Sequence, residues 1–172
     1  MNIQFKLIQN NLDLAHKMID WYNNPDIAHF IHVNRNEENP HEYSLKDVIK
    51  ELHPHSNVYR YSILDGDLPI GELSITRDFF LLMKKNENSA WISILIGDQS
   101  YWGKGISKLA MKFLEDTCRD MGFKRIELGV FENNTKAFNL YKSLGYKEFT
   151  RIDHFTFSQG RWCADIRLEK YL

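Results

Sequence analysis

Apolar and polar positions along the chain recur with two different periods, and each period predicts one kind of element. Apolar residues three or four positions apart predict helices, because that spacing places them on one helical face. The first helix is expected to end before Pro25, since proline lacks the N–H group that a helix interior requires. Ser44 and Asp47 have the spacing of a capping box, which indicates where the second helix begins. The predicted helices span 12–24, 45–52, 105–121 and 135–144.

Segments of β-prone residues, either alternating in polarity or continuously apolar, predict the strands. These strands span 3–8, 58–64, 70–76, 90–96, 125–130, 146–157 and 162–168. The turn Asp65-Gly66-Asp67 is typical of a hairpin. The continuous apolar end of the fourth strand, 94–96, indicates burial on both faces of a sheet. An antiparallel block followed by strand–helix alternation predicts one α/β domain over 1–172, with a mixed central sheet and helices on both faces.

The composition is typical of a soluble globular protein, with 43% hydrophobic and 26% charged residues. The 22 basic and 23 acidic side chains give a net charge of −1, so we expect neither nucleic acid nor an anionic membrane as a partner. No apolar stretch approaches the roughly 18 residues of a membrane span, and the first residues do not resemble a secretion signal. A cytoplasmic location is therefore expected. Cys118 and Cys163 form no pair with zinc-ligand spacing and are too few for a disulfide framework.

A glycine-containing loop over 97–107 joins the fourth strand to the longest helix. Gly103 and Gly105 permit tight turns that aim several backbone N–H groups at one point. Because the helix also begins there, the loop is suited to a phosphate or pyrophosphate. A P-loop is excluded, since Gly105 stands where Ser or Thr must follow Gly-Lys. A dinucleotide fingerprint has Lys108 in place of its third glycine, but keeps Glu127 as a candidate ribose ligand.

Two segments resemble the GNAT superfamily of acyl-CoA-dependent N-acyltransferases. The segment 102–107, Trp-Gly-Lys-Gly-Ile-Ser, is similar to the Gln/Arg-x-x-Gly-x-Gly/Ala loop that binds the CoA pyrophosphate in that family. Trp102 stands in the Gln/Arg place and Ser107 in the Gly/Ala place. The segment 133–146 follows the pattern Asn-x-x-Ala-x-x-x-Tyr-x-x-x-Gly-Phe, with Tyr146 for the last residue. The loop resembles the branch with ribosomal-protein alanine, spermidine and aminoglycoside 6′-acetyltransferases.

The resemblance implies acetyl-CoA as the co-substrate and places its binding residues on the fourth strand, the loop and the start of the following helix. These residues are Ile94, Leu95, Ile96, Trp102, Gly103, Lys104, Gly105, Ile106, Ser107 and Asn134. Asn134 can also cap its helix, and Lys108 and Lys142 are weaker candidates for the CoA phosphates. Tyr141 is implied as the general acid that protonates the leaving thiolate, although it lies on an apolar helical stripe and could pack in the core.

Glu72 is the acidic residue inside the strand next to the fourth, which makes it the candidate general base towards the acceptor amine, although a carboxylate on a strand could also simply face solvent. The histidine pairs His29/His32 and His53/His55 lack a compact third ligand, so no metal site is expected. Since neither cysteine lies in a pattern typical of a nucleophile, the acetyl group is expected to move by direct attack.

The two parts of the chain differ in charge, which bears on the acceptor. Residues 1–57 carry five basic and eight acidic side chains, whereas residues 58–172 carry seventeen and fifteen. The resemblance places much of the acceptor side in the acidic part, which favours a small cationic amine such as a polyamine or an aminoglycoside amino sugar. A protein N-terminus, or a non-catalytic CoA-binding module on the same fold, is the alternative. The run Phe79–Met83 is consistent with a buried strand, a cleft wall or a homodimer contact.

Overall fold

The computed structural model describes residues 1–8, 12–37, 41–53, 55–85 and 87–172, through which a seven-stranded mixed sheet runs. Its strands are β1 (Ile3–Leu7), β2 (Val58–Asp65), β3 (Leu68–Arg77), β4 (Ser89–Ile96), β5 (Arg125–Phe131), β6 (Lys147–Ser158) and β7 (Arg161–Tyr171). They lie in the order β1-β2-β3-β4-β5-β7-β6, and every neighbouring pair is antiparallel except β4 and β5. The mixed α/β architecture predicted from the element order is therefore confirmed.

The helices are α1 (Leu12–Asn23), α2 (Pro25–Ile31), α3 (Leu45–Leu52), α4 (Ile106–Asp120) and α5 (Thr135–Ser143). In the described ranges, none of them is long and apolar enough to cross a membrane. The predicted capping box is confirmed, because Ser44 and Asp47 each accept the other's backbone N–H.

Helix α2 departs from the expectation of two helices between β1 and β2. Proline ends α1 as predicted, but it also occupies the first turn of α2, where its missing N–H has no helical partner to lose. Asn24 caps this new helix by accepting the N–H of Asp26 at 2.9 Å. The helix is relevant to function because the chain just beyond it reaches the cleft described below.

The two faces of the sheet differ in polarity. On one face Leu73, Ile75 and Ile92 pack in the main core beneath α4. Their neighbours along the strands point to the opposite face, where Leu95 packs against α1 and α3. There β3 carries Glu72 together with Ser74 and Thr76, all buried despite being polar.

Strands β4 and β5 pair only at one end. Their register begins at Ser89 with Arg125 and ends at Trp91 with Glu127, whereas β4 stays paired with β3 as far as Ile96. Residues 92–96 therefore keep one backbone edge that β5 does not use. The expectation that 94–96 is buried on both faces is wrong, because Ile94 and Leu95 are half-buried where the two strands separate.

A buried ionic cluster holds the closed end of this split. The Arg125 guanidinium lies 2.7 Å from carboxylate oxygens of both Glu127 and Glu169, and it donates to Ser89 Oγ at 2.8 Å. Arg167 adds a second guanidinium, 3.4 Å from the other oxygen of Glu127. Arg125, Glu127 and Arg167 are fully buried, so β5 and β7 are joined by ion pairs that water screens little, and β4 is joined to them by the hydrogen bond to Ser89.

The same cluster anchors the loop between β3 and β4. The Met83 N–H donates to Glu127 at 3.1 Å, and the Leu81 carbonyl accepts from Arg167 at 3.1 Å. The run Phe79–Met83 is thus a loop rather than a strand, and it holds the Phe79 ring 4.7 Å from the Trp91 ring.

Replacing Glu127 by Gln should destabilise the fold strongly. Glutamine keeps the volume but leaves two buried guanidinium groups short of a counter-charge, which costs about 3–5 kcal/mol. The melting temperature should fall by roughly 10 °C. The control is Asp116→Asn, which breaks an exposed pair with Lys112 and should cost under about 1 kcal/mol. An equal fall in melting temperature in the two variants would contradict a stabilising role for the buried ionic cluster.

Candidate functional site

A cleft of about 270 Å³ opens on the polar face of the sheet beside β4. Side chains of β3 and β4 form its floor: Glu72, Ser74, Thr76, Trp91 and Ser93. The segments before β2 form a wall with Tyr22, His32, Tyr43 and Glu51. Ile94 and Leu95 also line the cleft, so it reaches the open edge of β4.

Glu72 is the buried carboxylate of this cleft. The Tyr22 hydroxyl donates to one of its oxygens, and Arg60 Nη1 lies 3.5 Å from the other. Burial raises the pKa of Glu72, and the positive charge of Arg60 with the Tyr22 hydrogen bond opposes that rise in part. A carboxylate in this environment binds a proton more readily than one in water, which suits it to general base chemistry.

His32 lies in the cleft as a neutral imidazole. Its Nε2 is 3.0 Å from the Tyr22 carbonyl, which can only accept, so Nε2 carries the hydrogen. Burial lowers the pKa of His32 to about 4, and its ring stacks on Tyr43 at 4.3 Å. The other member of the predicted pair, His29, has Nδ1 2.6 Å from the Pro25 carbonyl. Among the residues that the structure describes, no cluster of three or more His, Cys, Asp or Glu side chains could hold a metal ion.

The charge of the cleft is negative. Glu51 and Glu72 bring two carboxylates, Arg60 brings one guanidinium, and His32 is uncharged at neutral pH. The rings of Tyr22, Tyr43, His32, Phe79 and Trp91 line the same space. Aromatic faces and an excess carboxylate both attract cations, so the cleft is suited to an alkylammonium group.

The glycine loop is folded back onto the end of β4. The Trp102 indole N–H donates to the Ile96 carbonyl at 2.8 Å, so the residue in the Gln/Arg place fixes the loop to the strand. Gly103 and Gly105 have positive φ angles of 74° and 80°. Gly105 caps α4 without a side chain, which leaves the first N–H groups of the helix without a capping acceptor.

The other predicted ligands of the loop surround this turn. Lys104 is exposed, and its ammonium lies 5.1 Å from the centre of the Tyr101 ring. Ile106 is buried in the core, whereas Ser107 is half-buried at the start of the helix. Lys108 and Lys142 are exposed. The loop therefore offers backbone N–H groups and one nearby lysine to an anion.

Tyr141 lies on the opposite side of the sheet from Glu72. It is buried in the core cluster with Ile92, Ile96 and Val130, and burial raises its pKa to about 12. Its hydroxyl has no hydrogen-bond partner among the described residues. Asn134 caps α5 by accepting the Ala137 N–H at 3.2 Å, as its capping interpretation predicts. A group seated in the split would thus have the carboxylate on one side and the phenol on the other.

Several cleft residues have no motif that could reveal them. Tyr22, Arg60 and Glu51 come from three separate elements and meet only in the folded chain. One available signal is the alternation in β3, where polar Ser74 and Thr76 follow Glu72 on one face of an interior strand. Glu127 is fully buried in ion pairs, which removes the ribose ligand that the dinucleotide interpretation needs.

Comparison with known proteins identifies the family of this chain. Residues 15–146 match the model of the acetyltransferase (GNAT) family. The spermine/spermidine N(1)-acetyltransferase of Bacillus subtilis is 32% identical over 128 residues, which cover 72% of this chain and 81% of that protein. The match to the uncharacterized protein MJ1062 of Methanocaldococcus jannaschii is 26% identical and covers 48% of this chain but only 16% of that protein.

Solved structures show the same fold. The spermidine N-acetyltransferase of Vibrio cholerae, in complex with CoA and spermine, has a TM-score of 0.77 at 20% identity and covers 99% of this chain and 95% of its own. The ribosomal-protein-alanine N-acetyltransferase of Brucella melitensis also has a TM-score of 0.77, at 17% identity and with full coverage of both chains, 100% each. With the family match over most of its length, this chain belongs to the GNAT acetyltransferase family.

Proposed function

We propose that this protein transfers the acetyl group of acetyl-CoA to the nitrogen of a small cationic amine. One observation carries the proposal: the backbone edge of 92–96 that β5 leaves unpaired lies beside an acidic, aromatic cleft. The unpaired edge is suited to an extended ligand that carries amide groups, and the cleft is suited to an ammonium group. Membership of the GNAT family, whose co-substrate is acetyl-CoA, supports the pairing of the two.

The residues present fit a bound CoA. The free edge of Ile94, Leu95 and Ile96 can pair with the pantetheine amides as a further strand would. The turn from Trp102 to Ser107 can hold the pyrophosphate on its N–H groups, with Lys104 beside it and Asn134 at the start of α5. A thioester bound there supplies an activated acetyl carbon, and a backbone N–H of β4 can polarise its carbonyl.

The proton chemistry falls to the two groups that flank the split. Glu72 accepts a proton from the acceptor nitrogen, and its raised pKa favours the protonated product. Tyr141 donates to the sulfur as the carbon–sulfur bond breaks; with a pKa of about 12 it remains protonated throughout the neutral range. Attack is direct, since Cys163 is buried and burial raises the pKa of Cys118 to about 12, which disfavours a thiolate.

The charge of the cleft supports the proposed class of acceptor. With two carboxylates against one guanidinium, a positively charged amine is better matched than a neutral one. The names of the Bacillus subtilis and Vibrio cholerae relatives favour a polyamine, and an aminoglycoside amino sugar has the same ammonium chemistry. A protein N-terminus is the alternative that the Brucella melitensis relative suggests.

A thiol-release assay with a panel of amines tests the proposal. The purified chain is given acetyl-CoA with spermidine, an aminoglycoside, a peptide with a free N-terminus and a neutral amine. We expect turnover with spermidine or the aminoglycoside to exceed turnover with the other two. Binding of CoA without turnover on any acceptor would instead indicate a non-catalytic module, and preference for the neutral amine would contradict the cationic acceptor.

Tyr141→Phe tests the acid. Removing the phenol should lower kcat by about 10²-fold or more, because the thiolate then leaves unprotonated, while the KM for acetyl-CoA changes little. Tyr146→Phe is the matched control, since it removes a buried hydroxyl from the neighbouring ring, 6.0 Å away. An unaltered kcat in Tyr141→Phe across the pH range would exclude Tyr141 from the acid role.

Glu72→Gln should stabilise the fold at neutral pH while abolishing turnover. The folded pKa of Glu72 is raised above its unfolded value, so the ionised carboxylate penalises folding above the folded pKa and not below the unfolded one. The gain in melting temperature should therefore vanish as the pH falls towards 4. Asp47→Asn is the opposite control, because hydrogen bonds from Ser44 lower the pKa of Asp47 and that variant should lose stability at neutral pH. A lower melting temperature of Glu72→Gln than of the wild type at neutral pH would contradict the raised pKa of Glu72.

A further inference from the structure

Tyr22 lies between two carboxylates in the cleft. Its hydroxyl donates to Oε1 of Glu72 and is 3.5 Å from Oε2 of Glu51. Arg60 spans the same two groups, with Nη1 3.5 Å from Glu72 and Nη2 3.6 Å from Glu51. A phenol and a guanidinium therefore connect two acids that lie on different elements, β3 and α3.

The two carboxylates differ in their access to water. The Glu72 side chain is 9% exposed, whereas the Glu51 side chain is 36% exposed. From Glu72 to Glu51 the path thus runs from the floor of the cleft towards solvent. Tyr22 itself is buried, so its hydroxyl is the short internal link between the two.

Acetylation of an ammonium group makes such a path useful. Going from R–NH3⁺ to the amide, the nitrogen loses two protons; one balances the thiol of the released CoA and the other must reach solvent. A proton held by Glu72 beneath a bound acceptor has no direct contact with bulk water. Unless it leaves, Glu72 cannot act in the next turnover.

We propose that Tyr22 relays the proton from Glu72 to Glu51, an inference that rests on the proposed function. In the first step the acceptor N–H bond breaks and an O–H bond forms on Glu72. Once Glu72 is protonated, the Tyr22 hydroxyl turns towards Glu51. Its O–H bond then breaks as a new O–H bond forms on Glu51, while the O–H bond on Glu72 breaks and that proton binds to the Tyr22 oxygen. The transferred hydrogen leaves the Tyr22 hydroxyl facing Glu72 again, as in the starting state, and Glu51 releases its proton to water.

The groups around Tyr22 suit a relay rather than a phenolate. Burial, followed by the charges of Glu72 and Glu51, raises the pKa of Tyr22 well above its usual value, so its own proton leaves only as another arrives. Arg60 faces the pair with a positive charge. His32 and Tyr43 contact the Tyr22 ring edge-on and are uncharged at neutral pH.

Tyr22→Phe tests the relay, because it keeps the ring and removes the link. We expect kcat to fall about tenfold or more and the KM for acetyl-CoA to stay unchanged. Added tertiary amine buffer, which cannot itself be acetylated, should restore kcat progressively by carrying the proton. The matched control is Tyr61→Phe, whose ring packs on Phe113 in the main core away from the cleft and whose kcat should stay at the wild-type value.

Glu51→Gln is the second variant, and it removes the outer carboxylate at a half-exposed position. Its kcat should fall as in Tyr22→Phe, and the same tertiary amine buffer should restore it. A kcat of Tyr22→Phe within twofold of Tyr61→Phe, or a loss in both cleft variants that no buffer restores, would overturn the relay. Failure of the proposed function looks different, since Glu72→Gln would then be as active as the wild type or no amine would be acetylated.

Discussion

The pairing of β4 with β5 over only three residues is the constraint on which the site depends. Continued pairing would use the N–H and C=O groups of 92–96 within the sheet and leave none for a ligand. Where the two strands do pair, the Arg125 side chain of β5 donates a hydrogen bond to Ser89 of β4, and buried pairs with Glu127 and Glu169 hold that guanidinium in place. The split is thus an ordered opening with a rigid closed end, which is what a site for an extended ligand requires.

The polar face of β3 has the opposite energetic character from the core face. Leu73 and Ile75 gain stability by burial under α4, whereas Glu72 is buried among groups that do not fully compensate its charge. Such a carboxylate is retained at a cost in stability, and functional sites are where that cost is commonly found. The cleft and the core are therefore built from alternate residues of the same strand.

Much of the fold follows from local pattern, because each strand and the longer helices carry a clear period and a recognisable end. The glycine loop and the segment around Tyr141 can be predicted for a similar reason, since the residues of each are contiguous in sequence. Helix α2 is not predicted, because Pro25 marks both the end of one helix and the start of the next. The separation of β4 from β5 and the contact between Tyr22 and Glu51 cannot be predicted in this way, because both depend on contacts between distant segments.

Amide hydrogen exchange across β4 tests most directly whether the unpaired edge of residues 92–96 binds acetyl-CoA. Residues 89–91 are paired on both sides, whereas 92–96 have one edge that β5 does not cover. With saturating acetyl-CoA, exchange should slow in 92–96 and in the loop 102–107 and remain unchanged in 89–91. Saturable binding of acetyl-CoA that leaves exchange in both 92–96 and 102–107 unaltered would contradict the account.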